Sequence, residues 1–138
     1  MQNKDYIVQL IEDGFESDCL DFKAEQYTKS KHIDLLKDIM AMANSRQEAN
    51  KYIIIGVKVS SNKREIVGIE DNENIDSSNY QQLILNNIEP EINFNYFTFK
   101  YKDTLLGIFE LFDNDNRPYI LKKKYGPLNE GLCLTRKG

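Results

Sequence analysis

The run Tyr52-Ile53-Ile54-Ile55-Gly56-Val57 constrains this chain more than any other stretch. It is too short to cross a bilayer and has no polar face to turn to water, so it reads as a strand covered on both sides. A strand of that kind needs elements above and below it, and the flanking sequence supplies candidates. From Lys31 to Asn44, residues Ile33, Leu36, Ile39, Met40 and Ala43 recur at three- and four-residue steps, the stripe of a core-facing helix with Ser30 as its cap. Cys19 to Glu25 alternates: Leu20, Phe22 and Ala24 point one way, and Cys19, Asp21, Lys23 and Glu25 the other, as in a strand with one apolar and one mostly polar face.

The remaining elements follow from period and punctuation. Lys4 to Asp13 carries Tyr6, Ile7, Leu10 and Ile11 at helical spacing and is stopped by Gly14. Asn62-Lys63 reads as a turn into a short strand, Glu65 to Ile69. Ser77 or Ser78 caps a helix through Ile88, with Tyr80, Leu83, Ile84 and Leu85 on its apolar side and Pro90 ending it. Ile92 to Tyr101 and Thr104 to Phe112 form a hairpin across Lys102-Asp103, while Pro118 to Leu121 and Leu132 to Arg136 add short strands. Helices interleaved with hairpins predict an α+β sandwich with a mixed, mostly antiparallel sheet. Repeats and low-complexity linkers are missing, so residues 1–138 are expected to form one domain.

Charge is unevenly placed. The net charge of −4 argues against a surface that is basic throughout, yet from Arg117 onward six basic residues face one acid, Glu130. That segment is +5 and the first 116 residues are −9. A phosphate-binding surface needs local positive potential, not a positive total. A triple lysine such as Lys122-Lys123-Lys124 is more often a solvated edge or turn than a binding site. The polar start of the chain lacks a signal core. Cys19 and Cys133 lie in apolar stretches and are expected to be buried, reduced thiols of a cytoplasmic protein.

Glu16, Asp21 and Lys23 put two carboxylates and a lysine at the edge of the first strand, where a phosphate or a metal ion has ligands to meet. The same Asp21, Lys23 and Glu25 also suit a plain charge ladder facing solvent. His32, near a helix start, has no acid or nucleophile at catalytic spacing and reads as a surface histidine. Of the hairpin aromatics Tyr96, Phe97, Phe99 and Tyr101, the phenylalanines are expected in the core; exposed, the rings would suit base stacking.

Taken in order, these motifs resemble the Schlafen-type Alba-like domain (Schlafen AlbA-2), a family described as DNA-binding. The matching residues are Glu16 with Asp21-Phe22-Lys23, the helix end Ala41-Met42-Ala43-Asn44, Ile55-Gly56-Val57, Val67-Gly68-Ile69 and the closing Arg136-Lys137-Gly138. The resemblance implies an Alba-like two-layer α+β fold with two main helices plus a short N-terminal one. It also implies a place at the N-terminus of a longer bacterial regulator or defence protein, such as a transcriptional regulator, ahead of an ATPase-like or winged-helix region.

Some animal members of that family are RNases that use three acids and a divalent metal. Two of those acids map onto Glu16 and Asp21, which the resemblance makes the catalytic and Mg²⁺- or Mn²⁺-binding pair of any endoribonuclease here. The third lies after Gly-Val in the family, and here Gly56-Val57 is followed by Lys58-Val59-Ser60-Ser61. Metal-assisted hydrolysis needs anionic oxygens to hold the ion, and a lysine repels it. Asp18, Glu70 or Asp71 are the available substitutes. The expectation is therefore a noncatalytic nucleic-acid-binding domain without a cofactor. Its phosphate contacts are drawn from Lys23, Arg46, Lys51, Lys58, Lys122, Lys123, Lys124 and Arg136. Self-association as a homodimer is the third reading, and no membrane partner is expected.

Overall fold

The structure is a computed structural model that describes residues 4–61, 63–70 and 75–136. Helix α1 is Lys4–Asp13, strand β1 Leu20–Lys23, and a single 3₁₀ turn Lys29–Lys31 leads into helix α2, His32–Ala43. Strands β2 (Lys51–Ile55), β3 (Val57–Ser60) and β4 (Lys63–Ile66) precede helix α3, Ser77–Asn87. Strands β5 (Ile88–Glu89), β6 (Phe94–Tyr101), β7 (Thr104–Leu111) and β8 (Ile120–Leu121) complete the fold. The main sheet runs β1-β2-β7-β6, with β1 parallel to β2 and the other neighbours antiparallel. This is the mixed, mostly antiparallel α+β architecture that the element order anticipates.

Strand β2 is buried along its whole length, and its two faces feed two cores. Ile53 and Ile55 join Leu36, Ile39 and Met40 of α2, Tyr80 and Ile84 of α3, and Phe109 of β7. Tyr52 and Ile54 meet Leu20 and Phe22 of β1, Leu106 and Ile108 of β7, and Ile7 and Ile11 of α1 on the other face. The two main helices thus cover one side of the sheet and the short first helix part of the other. Period-two alternation enforces this split, because the register pairs Leu20 with Tyr52 and Phe22 with Ile54.

Several boundaries depart from the sequence reading. The apolar run breaks at Gly56, whose φ of +105° bends the chain out of the main sheet and into the separate β3–β4 hairpin. The second strand of that hairpin is Lys63–Ile66, not Glu65 to Ile69, and its turn at Asn62 lies outside the described residues. Val67 and Gly68 donate instead to the Gly56 carbonyl at 2.9 and 2.8 Å. Helix α3 is capped by Asp76, whose carboxylate accepts from the Ser78 N–H, rather than by either serine. Ser30 does not cap α2, since the 3₁₀ turn occupies its position.

Residues 132–136 are not a strand. They form an irregular strap across the end of α2, with Arg136 N–H donating to the Ala41 carbonyl at 3.1 Å. Nor is Cys133 buried: it is exposed, while Cys19 is half-buried, and both are free thiols. Of the hairpin aromatics, Tyr96 and Tyr101 are the buried pair, and Phe97 and Phe99 are partly covered by the second core.

Candidate functional site

Strand β1 delivers Asp21 and Lys23 to the helix side of the sheet, beside α2. There the Asp21 side chain is 8% exposed and its Oδ2 meets two cations, Lys23 Nζ at 3.4 Å and Arg136 Nη1 at 3.2 Å. Glu16, in the loop before β1, accepts a hydrogen bond from the Phe22 N–H and shares another with the Asp21 carboxyl. That shared bond, with desolvation behind it, raises the Glu16 pKa. Burial alone pushes Asp21 up, but the Glu16 hydrogen bond and the charges of Lys23 and Arg136 outweigh it, and the pKa is lowered.

A further acid completes the cluster. Asp38 of α2 contacts Lys23 Nζ at 3.4 Å and accepts from the Tyr27 hydroxyl at 2.5 Å. Burial raises its pKa against the opposing pull of Tyr27 and Lys23. Lys23 is itself held protonated: burial lowers its pKa, but Asp38 and Asp21 together raise it further. Sequence reasoning passed over Asp38, which looks like one more polar position on the outer face of α2. The only available signal was its i+4 place after Asp34 on the turn that faces β1.

The second group forms where α2 ends. Asn44 is buried, and its side chain ties three distant segments together. Its Nδ2 donates to the carbonyls of Tyr119 (2.9 Å) and Leu134 (2.8 Å), and its Oδ1 accepts from the Tyr119 N–H (2.7 Å). Thr135 Oγ1 donates back to the Asn44 carbonyl at 3.0 Å. The result is an open cleft of about 710 Å³ whose lining includes Asp18, Asn44, Cys133 and three arginines, Arg46, Arg117 and Arg136. Arg117 is anchored through a 3.0 Å bond to the Ser45 carbonyl.

The anticipated phosphate contacts therefore separate. Arg46 and Arg136 share the cleft, and Arg117, absent from the anticipated set, joins them. Lys23 sits in the acid cluster with its ammonium between two carboxylates. Lys51 is withdrawn as a contact: it is 5% exposed and its Nζ donates to the carbonyls of Met42 (2.9 Å) and Ser45 (3.0 Å), closing the last turn of α2. Burial accordingly lowers its pKa. Lys58 is exposed on β3, and Lys122, Lys123 and Lys124 are exposed after β8, none of them lining the cleft. His32 is half-buried at the start of α2.

A divalent metal does not fit this donor set. The two nearest neighbours of the Asp21 carboxylate outside Glu16 are cations, and an incoming ion has to displace both. Among the described residues, no group of three His, Cys, Asp or Glu side chains comes together to hold a metal. Asp18 lines the arginine cleft, Glu70 is exposed after Ile69, and Asp71 lies outside the described residues.

The family model described as "Schlafen, AlbA_2" matches residues 16–138. No curated protein sequence matches the chain. A solution NMR structure from Nitrosomonas europaea is similar, with a TM-score of 0.64 at 16% identity, covering 100% of this chain and 90% of that one. It is the N-terminal domain of a protein named "Putative ATP-dependent DNA Helicase RecG-related Protein". At that identity the likeness speaks for the fold. No helix among the described residues is long and apolar enough to cross a membrane.

Proposed function

Because the chain belongs to the Schlafen, AlbA_2 family, we propose that it is a noncatalytic nucleic-acid-binding domain whose contact surface is the arginine-lined cleft at the end of α2. The observation that carries this reading is the convergence of Arg46, Arg117 and Arg136 on one concavity in a chain of net charge −4. Guanidinium groups match phosphate oxygens through parallel N–H donors, which makes a small arginine cluster an effective backbone contact even where total charge is negative. Phosphate contacts position a ligand without reading its bases, so DNA and RNA are both candidates. The helicase named for the structural neighbour suits a setting in which such a domain opens a longer cytoplasmic protein, ahead of an ATPase-like or winged-helix region.

The test is a titration with single-stranded and duplex DNA and RNA at 50 and 200 mM salt. Three phosphate contacts release counterions with a log–log slope of about −2 to −2.7, which weakens binding roughly 20- to 40-fold over that fourfold change. Arg46→Ala is expected to flatten the slope by about 0.7 to 0.9, one contact's worth. Absence of binding to all four ligands at 50 mM refutes the proposal.

A further inference from the structure

We propose that Asp21 is a latch on Arg136: its carboxylate holds the guanidinium in an internal ion pair that an incoming phosphate must displace, so that Asp21 sets how tightly the cleft binds. This rests on the cleft being the phosphate-contact surface, and it assigns the aspartate of the first strand a role opposite to that of a reactive or metal-holding group.

Accessibility divides the pair. The Asp21 side chain is 8% exposed and the Arg136 side chain 26%, so the anion lies beneath and the cation at the rim. A ligand in the cleft meets the guanidinium, not the carboxylate. The backbone of Arg136 is fixed independently of this ion pair, through its own N–H to Ala41 and through Thr135 and Leu134 to Asn44. The side chain is therefore free to turn while its Cα stays in place.

Release of Arg136 also leaves no orphan. Asp21 Oδ2 keeps Lys23, and the Asp21 carboxyl keeps its hydrogen bond with Glu16. Lys23 in turn keeps Asp38. A buried carboxylate stripped of every partner is costly, whereas one that exchanges a single partner of three is not. Both cations approach the same oxygen, so they compete for it even before a ligand arrives. Among the described residues Arg46 and Arg117 form no ion pair with an acid, and Arg117 is anchored to a carbonyl, so Arg136 is the cleft arginine restrained by charge.

The experiment measures binding of short fluorescent single-stranded oligonucleotides across a salt series for the wild type, Asp21→Asn, Asp21→Glu, Arg136→Ala and the Asp21→Asn/Arg136→Ala pair. Asp21→Asn is expected to tighten binding several-fold while leaving the log–log slope as in the wild type, because Arg136 meets a phosphate in both complexes and only the cost of displacing Asp21 is removed. Asp21→Glu restores wild-type binding, and the gain disappears in the Arg136→Ala background. Unchanged or weaker binding by a folded Asp21→Asn variant overturns the latch, as does a gain that persists without Arg136, which reports general charge removal. Should Asp21→Asn not fold, the single variants decide: Arg136→Ala must weaken binding less than Arg46→Ala, because the ion pair with Asp21 offsets part of the phosphate contact. A wild type that binds no oligonucleotide refutes the nucleic-acid reading alone. Inorganic tripolyphosphate then serves as the probe, with the same ranking expected and its absence overturning the latch.

Discussion

Asn44→Ala removes the knot that ties the end of α2 to the strap. Three hydrogen bonds vanish together, two to the Tyr119 backbone and one to the Leu134 carbonyl. Tyr119 is 1% exposed, so water cannot replace the lost partners of its N–H and C=O. Each net hydrogen bond contributes about 1 kcal/mol, and a buried group left unpaired costs about 1–3 kcal/mol, which places the total near 3–6 kcal/mol. For a chain of this length about 3 °C accompanies each kcal/mol, so the melting temperature should fall by roughly 10 °C or more. Urea unfolding at 25 °C with an unchanged m-value is the assay, because an altered slope signals a changed end state. Asn44→Asp is the sharper companion. It keeps an acceptor for the Tyr119 N–H but sets a carboxylate against two carbonyl oxygens, and should destabilise at least as much. A loss below about 1 kcal/mol for the alanine variant would refute the reasoning, since it would mean that the strap is held by something other than Asn44.

Other consequences are equally direct. Gly56→Ala places a Cβ 2.8 Å from Leu106 Cδ2 and 3.0 Å from the Gly68 Cα at a φ of +105°; strain and overpacking together should remove about 2 kcal/mol or more, read by the same urea assay. Lys51→Met removes the ammonium from the Met42 and Ser45 carbonyls, which keep the Ser45 N–H and the Arg117 guanidinium as donors, and is expected to lower stability by about 1–2 kcal/mol while the salt slope of nucleic-acid binding stays as in the wild type. The depressed Asp21 pKa means that the unfolded chain binds the proton more readily below 3.8, so the stability contributed by this group is present above that pH and is lost as pH falls through the folded-state value. Urea midpoints between pH 2 and 6 should therefore fall less steeply on the acid side for Asp21→Asn than for the wild type, and parallel curves would contradict the assignment.

How much of this could be read from the chain alone varies with the range of the interaction. Helix α1 ends where Gly14 stops its period, and its Ile7 and Ile11 point inward as their spacing requires. The β6–β7 hairpin turns at Lys102-Asp103, both with positive φ, because the alternation on either side admits one register. Errors arose where a local pattern fits two outcomes. Leu132 to Arg136 alternates like a strand, yet after one bond from the Leu121 N–H of β8 to the Leu132 carbonyl its hydrogen bonds run to Ala41 and Asn44 at a helix end. Lys51 resembles any loop lysine until the carbonyls of Met42 and Ser45 are seen to surround its ammonium.

The amino-acid sequence by itself determined the layers of this protein: a doubly buried β2, a helix to cover it, and a hairpin to extend the sheet. Burial of apolar surface follows periodicity, and periodicity is local. Tertiary structure alone decided which charges meet. Arg136 reaches Asp21 from the opposite end of the chain, Arg117 arrives beside Arg46 because Asn44 grips Tyr119, and Asp38 joins Lys23 from a neighbouring helix. Charge–charge contacts act over a few ångströms of space with no periodic trace along the chain. Of the two acids that look like a reactive pair in the primary structure, Asp21 is, once folded, the partner of two cations, and Glu16 accepts from the Phe22 N–H.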